Sequence, residues 1–285
     1  MVIDFRIRPP FKSFLTLGLY TEPVDPEYPS FTYGRDLTPS MTGGGMDSFM
    51  REFEESGTTL AVIMGRSTGN EKLGKGNVPP EEIYELMERY PGKFAGFVGV
   101  DPLDPGAPAQ IRRSVGKLGM KGVALEPGWC NPPCYADDPR FAPVYETIAT
   151  LGVPVVLTMS VMAGPDLTYT DPVRVERMAA KYPEIPFVVA HAAWPYFIQL
   201  MAVALRHKNV YLVPDCYFYM PCMPMIADVM PMFNSVLQRQ VIYASTYPVR
   251  GLKQALDEWK ARPWEAEALE RSLYGNAARL LKLEG

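Results

Sequence analysis

The chain has 285 residues, 47% of them hydrophobic and 21% charged, the balance of a globular protein with a large interior. A net charge of −4 offers no field that would draw nucleic acid or an anionic membrane, so a small-molecule partner is expected. No stretch reaches the roughly 20 apolar residues of a membrane helix, and no basic-then-apolar leader opens the chain, so a cytoplasmic protein is expected.

The first element is the strand-like run Val2-Ile3-Asp4-Phe5-Arg6-Ile7-Arg8. Alternate residues of a strand share a face, so Arg6 and Arg8 are predicted to aim two guanidinium groups at one point. Such a pair holds a carboxylate or phosphate and repels a metal cation. Residues 9–45 follow, rich in Pro, Tyr, Gly and Thr and without a helical pattern, and read as a long first βα loop that forms a lid or substrate wall. Gly43-Gly44-Gly45 lies before a helix with no strand ahead of it, so it reads as a turn and not as a phosphate-binding loop.

Further apolar or β-branched runs cover 59–64, 94–100, 122–125, 153–157, 187–190, 210–213 and 241–244, which with 2–5 makes eight. Amphipathic stretches at 46–56, 80–90, 108–118, 139–151, 171–182, 195–206, 223–237 and 252–260 are predicted helices, several opening on Pro or Asp as a first helical turn favours. Continuous apolar strands alternating with helices imply a parallel sheet covered on both faces. Eight such units predict a distorted (β/α)8 TIM barrel spanning 1–285 as one domain, with a doubly wound open sheet as the alternative. Residues 263–285 are predicted to form a C-terminal helical extension. The Met-rich stretch 220–232 reads as a packing helix or subunit contact, and a homo-oligomer, a dimer or larger, is expected.

The four cysteines are too few for a disulfide framework. Cys130 and Cys134 share a Cys-Asn-Pro-Pro-Cys loop that lacks the further ligands of a zinc site, so these two, Cys216 and Cys222 read as reduced loop or core thiols.

In a barrel the chemistry sits where strands end. Those positions hold Arg6, Arg8, Arg66, Asp101, Glu126, Thr158, His191, Asp215, Thr246 and Tyr247. His191 is the candidate general acid or base, with a core-bonded imidazole as the plainer reading; His207 belongs to the surface. Asp215 can orient His191 or pair with an arginine such as Arg8, and Glu126 carries the same ambiguity. Trp194, Tyr217, Phe218 and Tyr219 offer aromatic wall. In the 164–172 loop Asp171 reads as a helix cap, while Asp166 and Tyr169 are candidates for substrate contact.

The runs Val2-Ile3-Asp4-Phe5, Gly122-Val123-Ala124-Leu125-Glu126-Pro127, Gly152-Val153-Pro154-Val155-Val156-Leu157, Phe187-Val188-Val189-Ala190-His191, Val241-Ile242-Tyr243-Ala244-Ser245-Thr246-Tyr247-Pro248 and Gly275-Asn276-Ala277-Ala278-Arg279-Leu280 occur in that order. Together they resemble the amidohydrolase-related proteins that include aminocarboxymuconate semialdehyde decarboxylase, resorcylate decarboxylases and pyrone dicarboxylate lactonase. The resemblance implies a metal held by His-x-His after the first strand, a histidine after each of the fifth and sixth, and an aspartate after the eighth. Here those positions carry Arg6 and Arg8, Thr158, His191 and Thr246, so four of the five ligands are absent. The expectation is therefore a chain with no cofactor and no divalent metal.

The reaction expected first is metal-independent hydrolysis of a small carboxylated lactone, ester or ring compound. Arg6 and Arg8 would bind the carboxylate or oxyanion, His191 with Asp215 would serve as acid and base, and Tyr247 or Tyr217 would donate to the carbonyl. The alternatives are non-oxidative decarboxylation of an aromatic or unsaturated acid, and binding of a carboxylate without chemistry.

Overall fold

A computed structural model of the protein describes residues 1–21, 34–69, 76–219 and 226–283. Seven strands, β1 (Ile3–Ile7), β2 (Leu60–Met64), β3 (Phe94–Gly99), β4 (Gly122–Leu125), β5 (Val155–Thr158), β6 (Phe187–Ala190) and β7 (Val210–Val213), lie side by side in sequence order. Every neighbouring pair is parallel. Their β-branched and aromatic residues are buried on both faces, which is why these runs lack polar alternation.

The eighth run closes the ring without forming a regular strand. Val241 bridges Leu212 of β7 and Tyr247 bridges Ile7 of β1; the amides of Phe5 and Arg8 donate to the carbonyls of Tyr243 (3.1 Å) and Tyr247 (3.0 Å). Side chains take the amides that a ladder would use: Ser245 N donates to Asp4 Oδ1 at 2.9 Å and Tyr247 N to Ser245 Oγ at 3.0 Å. The result is a distorted eight-fold barrel.

Helices at Gly45–Ser56, Pro80–Arg89, Ala107–Leu118, Ala142–Leu151, Val173–Lys181, Phe197–Arg206 and Leu252–Lys260 match predicted ones. The helix expected from 195 starts two residues later because His191–Ala193 forms a separate tight turn. Of the helix expected over 223–237, Ile226–Phe233 is described. Short helical turns at Lys12–Thr16, Gly18–Thr21 and Pro39–Thr42 lie in the first loop, where none was expected.

Two apolar cores result. Ile3, Phe5, Val62, Met64, Phe97, Val188 and Val213 fill the barrel, joined by Ala277, Ala278, Leu280 and Leu281 of the C-terminal helix Asn276–Leu281. A second cluster, including Ile7, Ile63, Val98 and Leu157, packs the strands against the surrounding helices. The barrel is thus a filled core and not a channel, with its polar residues at the strand exits.

Candidate active site

The β1–β2 register shifts between Asp4 and Ile7. Ile3 and Phe5 belong to the barrel interior, yet Ile7 belongs to the outer core. Arg6 and Arg8 act on the same cluster, both of them lowering the Glu126 and His191 pKa, but their nearest carboxylates differ. Arg8 Nη2 reaches Glu126 Oε1 beyond β4 at 2.5 Å, whereas Arg6 Nη1 comes no nearer than 4.0 Å to Asp215 Oδ2 beyond β7.

Glu126 is shared, because Arg66 Nε lies 2.9 Å from its Oε2. Arg66 is set there by a close approach of two strand ends: a Cβ on Gly99 would stand 2.3 Å from Arg66 N, and one on Gly65 would stand 2.5 Å from Gly99 N. Glycine is what lets these backbones meet. Burial alone would raise the Glu126 pKa, but Arg66, Arg8 and Arg6 outweigh it and hold the carboxyl at about 2. Burial lowers the Arg8 guanidinium to about 10 despite Glu126. Arg6 is as buried as Arg8, 5% exposed, and differs from Arg8 and Arg66 in that, among the described residues, it has no carboxylate oxygen nearer than 4.0 Å.

Strained backbone turns the other polar groups inward. His191 (φ 64°), Asp215 (φ 45°) and Thr246 (φ 60°), at the exits of β6, β7 and the eighth run, all lie in the left-handed region, at a cost of roughly 1–3 kcal/mol each. Hydrogen bonds stitch the three together. His191 N donates to Asp215 Oδ2 at 3.2 Å, His191 Nδ1 lies 2.9 Å from Asp215 Oδ1, and Cys216 N donates to Thr246 Oγ1 at 3.3 Å. Asp215 therefore orients His191, and the arginine it faces is Arg6 and not Arg8. Burial lowers the His191 pKa more than Asp215 raises it, so the resting imidazole is neutral near pH 7.

Aromatic rings flank the imidazole. Tyr217 meets His191 edge-on at 5.4 Å and stacks on half-buried Trp194 at 5.2 Å with planes 6° apart. Thr158, at the exit of β5, has a buried hydroxyl with no hydrogen-bond partner among the described residues.

Other expected site residues lie elsewhere. Tyr247 turns its ring onto Phe49 (4.9 Å) and its hydroxyl to Ser40 Oγ (2.7 Å), so its contacts are with the helix and loop after β1 and not with His191. Asp166 is exposed and caps the Leu167–Thr170 turn, accepting from Thr168 N at 2.8 Å; Tyr169 stacks on Tyr135 at 4.5 Å. Among the described residues neither contacts the His191 cluster: Asp166 is spent on its own turn, and Tyr169 on the ring of Tyr135 in the loop after β4. Tyr219 ends the short helix Cys216–Tyr219, and its side chain lies outside the described residues, as does Cys222. Sequence reasoning missed Asp4 and Cys216. Asp4 is fully buried, and burial raises its pKa to about 6 although the Ser245 and Arg6 amides bond it. Its place in the first run signalled only a strand residue.

Residues 27–283 match the family described as Amidohydrolase. The chain belongs to the amidohydrolase family. It is similar in structure to the uncharacterized TIM-barrel protein Bb4693 from Bordetella bronchiseptica, with a TM-score of 0.88 and 32% identity over 99% of this chain and 98% of that one. At lower identity it shares its barrel with 2,6-dihydroxybenzoate decarboxylase from Rhizobium (TM-score 0.71, 15% identity, 100% and 99% covered). It also shares it with a dihydroxybenzoic acid decarboxylase from Polaromonas, solved with bound manganese and the inhibitor 2-nitroresorcinol (TM-score 0.71, 17% identity, 100% and 97% covered). No curated protein matches.

Manganese in the Polaromonas amidohydrolase fold overturns the expectation of a chain without a divalent metal, and so does a donor cluster in this one. A ring nitrogen of His191, a carboxylate oxygen of Asp215 and the sulfur of Cys216 all lie within 4.8 Å of one another. Nitrogen, oxygen and sulfur are the donors that borderline divalent ions take. The family's ligand pattern failed to reveal this set because Asp215 and Cys216 follow β7, which carries no ligand in that pattern, and meet His191 only through strand pairing. Arg6, 4.0 Å from the same Asp215, is the cation such an ion would face.

Proposed function

We propose that this amidohydrolase-family enzyme is a carboxy-lyase that removes carbon dioxide from a small aromatic or unsaturated carboxylic acid. The observation that carries the reading is Arg6, a buried guanidinium at the strand exits whose nearest carboxylate among the described residues is 4.0 Å away, next to an imidazole held by Asp215. Arg8 and Arg66 are occupied by Glu126, so Arg6 is the seat left for a substrate carboxylate.

With the acid on Arg6 and its ring against the Trp194–Tyr217 wall, heterolysis of the carbon–carboxylate bond leaves the bonding pair on the ring carbon. The ring carbon takes in place of carbon dioxide a proton drawn from solvent through His191, which is protonated for this step with Asp215 as its counter-charge and its orienting partner. The balance is one proton consumed and one carbon dioxide released. His191, Asp215 and Cys216 would hold a divalent ion, which would supply an electrophile that polarises a substrate oxygen.

The decarboxylases that share the barrel support this reading over hydrolysis, which the family description equally allows. Hydroxybenzoates and unsaturated acids incubated with the protein in 18O-water should release carbon dioxide with no 18O in the remaining product. Arg6→Met should lower turnover at least 100-fold, about 2.7 kcal/mol of transition-state stabilisation, without loss of fold. Incorporation of 18O, or turnover unchanged in Arg6→Met, refutes it.

A further inference from the structure

Four residues beyond Thr246, Arg250 is completely buried, and among the described residues its Nε, Nη1 and Nη2 all lack a hydrogen-bond partner. The nearest carboxylate oxygen among them is Glu258 Oε2 at 3.7 Å, outside hydrogen-bonding range and itself unpartnered there. Burial raises the Glu258 pKa more than Arg250 lowers it, so this pair is weakly matched. A second guanidinium, the half-buried Arg35, lies beside it; burial first and Arg250 second make Arg35 less basic. Arg35 Nη1 is anchored on Pro248 O at 3.3 Å, and Asp36 is tied to the same helix through Gln254. Two cations thus meet between the 34–38 segment and helix Leu252–Lys260, where Glu258 also feels Arg262 and Asp36.

An enclosed guanidinium with unmade hydrogen bonds is destabilising until a partner satisfies it. In barrels of this kind, the loops that follow strands seven and eight are a frequent place for a phosphate group. We propose that Arg250 and Arg35 form a second anion seat, separate from Arg6, that takes a phosphate or carboxylate group at the rim of the barrel. The planar fork of Arg250 provides bidentate contact and Arg35 provides a second donor from the first loop. The group belongs either to the far end of the substrate or to a free small anion. The seat does not depend on which reaction the Arg6 site performs.

The test is thermal unfolding of the full chain titrated with inorganic phosphate, and separately with malonate, against chloride at matched ionic strength. Wild type should show saturable stabilisation, and Arg6→Met should keep it. Arg250→Met should lose it while being as stable as wild type or more so without anion, because a buried uncompensated charge is replaced by a side chain of similar length. Arg35→Met should weaken the half-saturating concentration at least tenfold. A response to phosphate alone or malonate alone assigns the anion class; release of the stabilisation by a turned-over substrate assigns the source. Failure of wild type to respond beyond chloride overturns the proposal. So does marked destabilisation of Arg250→Met with the anion response intact, which would make Arg250 a plain partner of Glu258.

Discussion

Asp4 is a carboxyl sealed beneath the site, with Oδ1 bonded to two amides and Oδ2 without a partner. Burial raises its pKa from 3.8 to about 6. The folded chain then holds this proton more tightly than the unfolded one. Its contribution favours folding below about pH 4 and is lost as pH rises through about 6, a change of about 3 kcal/mol. Asp4→Asn keeps an oxygen for both amides and removes the titration. Urea unfolding at pH 4 and pH 7 should show the stability difference between wild type and Asp4→Asn changing by about that amount, the variant gaining at pH 7. Parallel pH profiles would mean that Asp4 titrates as an ordinary aspartate. At this scale the sequence showed which residues stand at strand exits, and the pair His191 and Asp215 was legible because each closes an apolar run. The destination of Tyr247 was not, since a ring at a strand exit can turn to the mouth or to the outer helices, and Phe49 and Ser40 decide it.

Among the elements, β1 carries two arginines to one cluster but to different nearest carboxylates, Arg8 to Glu126 and Arg6 to Asp215. Glu126 then links β1, β2 and β4 through Arg8 and Arg66. Removing its charge leaves two buried guanidinium groups facing each other. Glu126→Gln should cost about 3–5 kcal/mol in chemical unfolding; a loss under about 1 kcal/mol would mean that water already neutralises the pair. The element boundaries were largely legible because continuous apolar runs and helical periodicity are local signals. The eighth strand was expected to be regular and is not, because Ser245 and Asp4 compete for its amides. That competition spans the length of the chain.

For the whole molecule, closure of the ring joins the first strand to the last segment, and the C-terminal helix holds the seam. Buried Asn276 donates from Nδ2 to Gln238 O at 2.9 Å and Val241 O at 2.8 Å, fixing the start of the eighth run. Asn276→Ala orphans two carbonyls and should cost about 2–3 kcal/mol in urea unfolding, with faster amide exchange over 241–247. Unchanged exchange there would show that the bridges to β1 and β7 close the barrel unaided. The sequence by itself determined the repeating strand–helix order, the family resemblance and the replacement of expected ligands by arginines. These are local or positional properties, readable one residue at a time. It took the folded chain to show that Arg6 lacks a close carboxylate among the described residues, that Cys216 joins His191 and Asp215, and that Arg250 is enclosed beside Arg35. Each depends on groups brought together from different strands and loops, whose separation in sequence carries no trace of their distance in space.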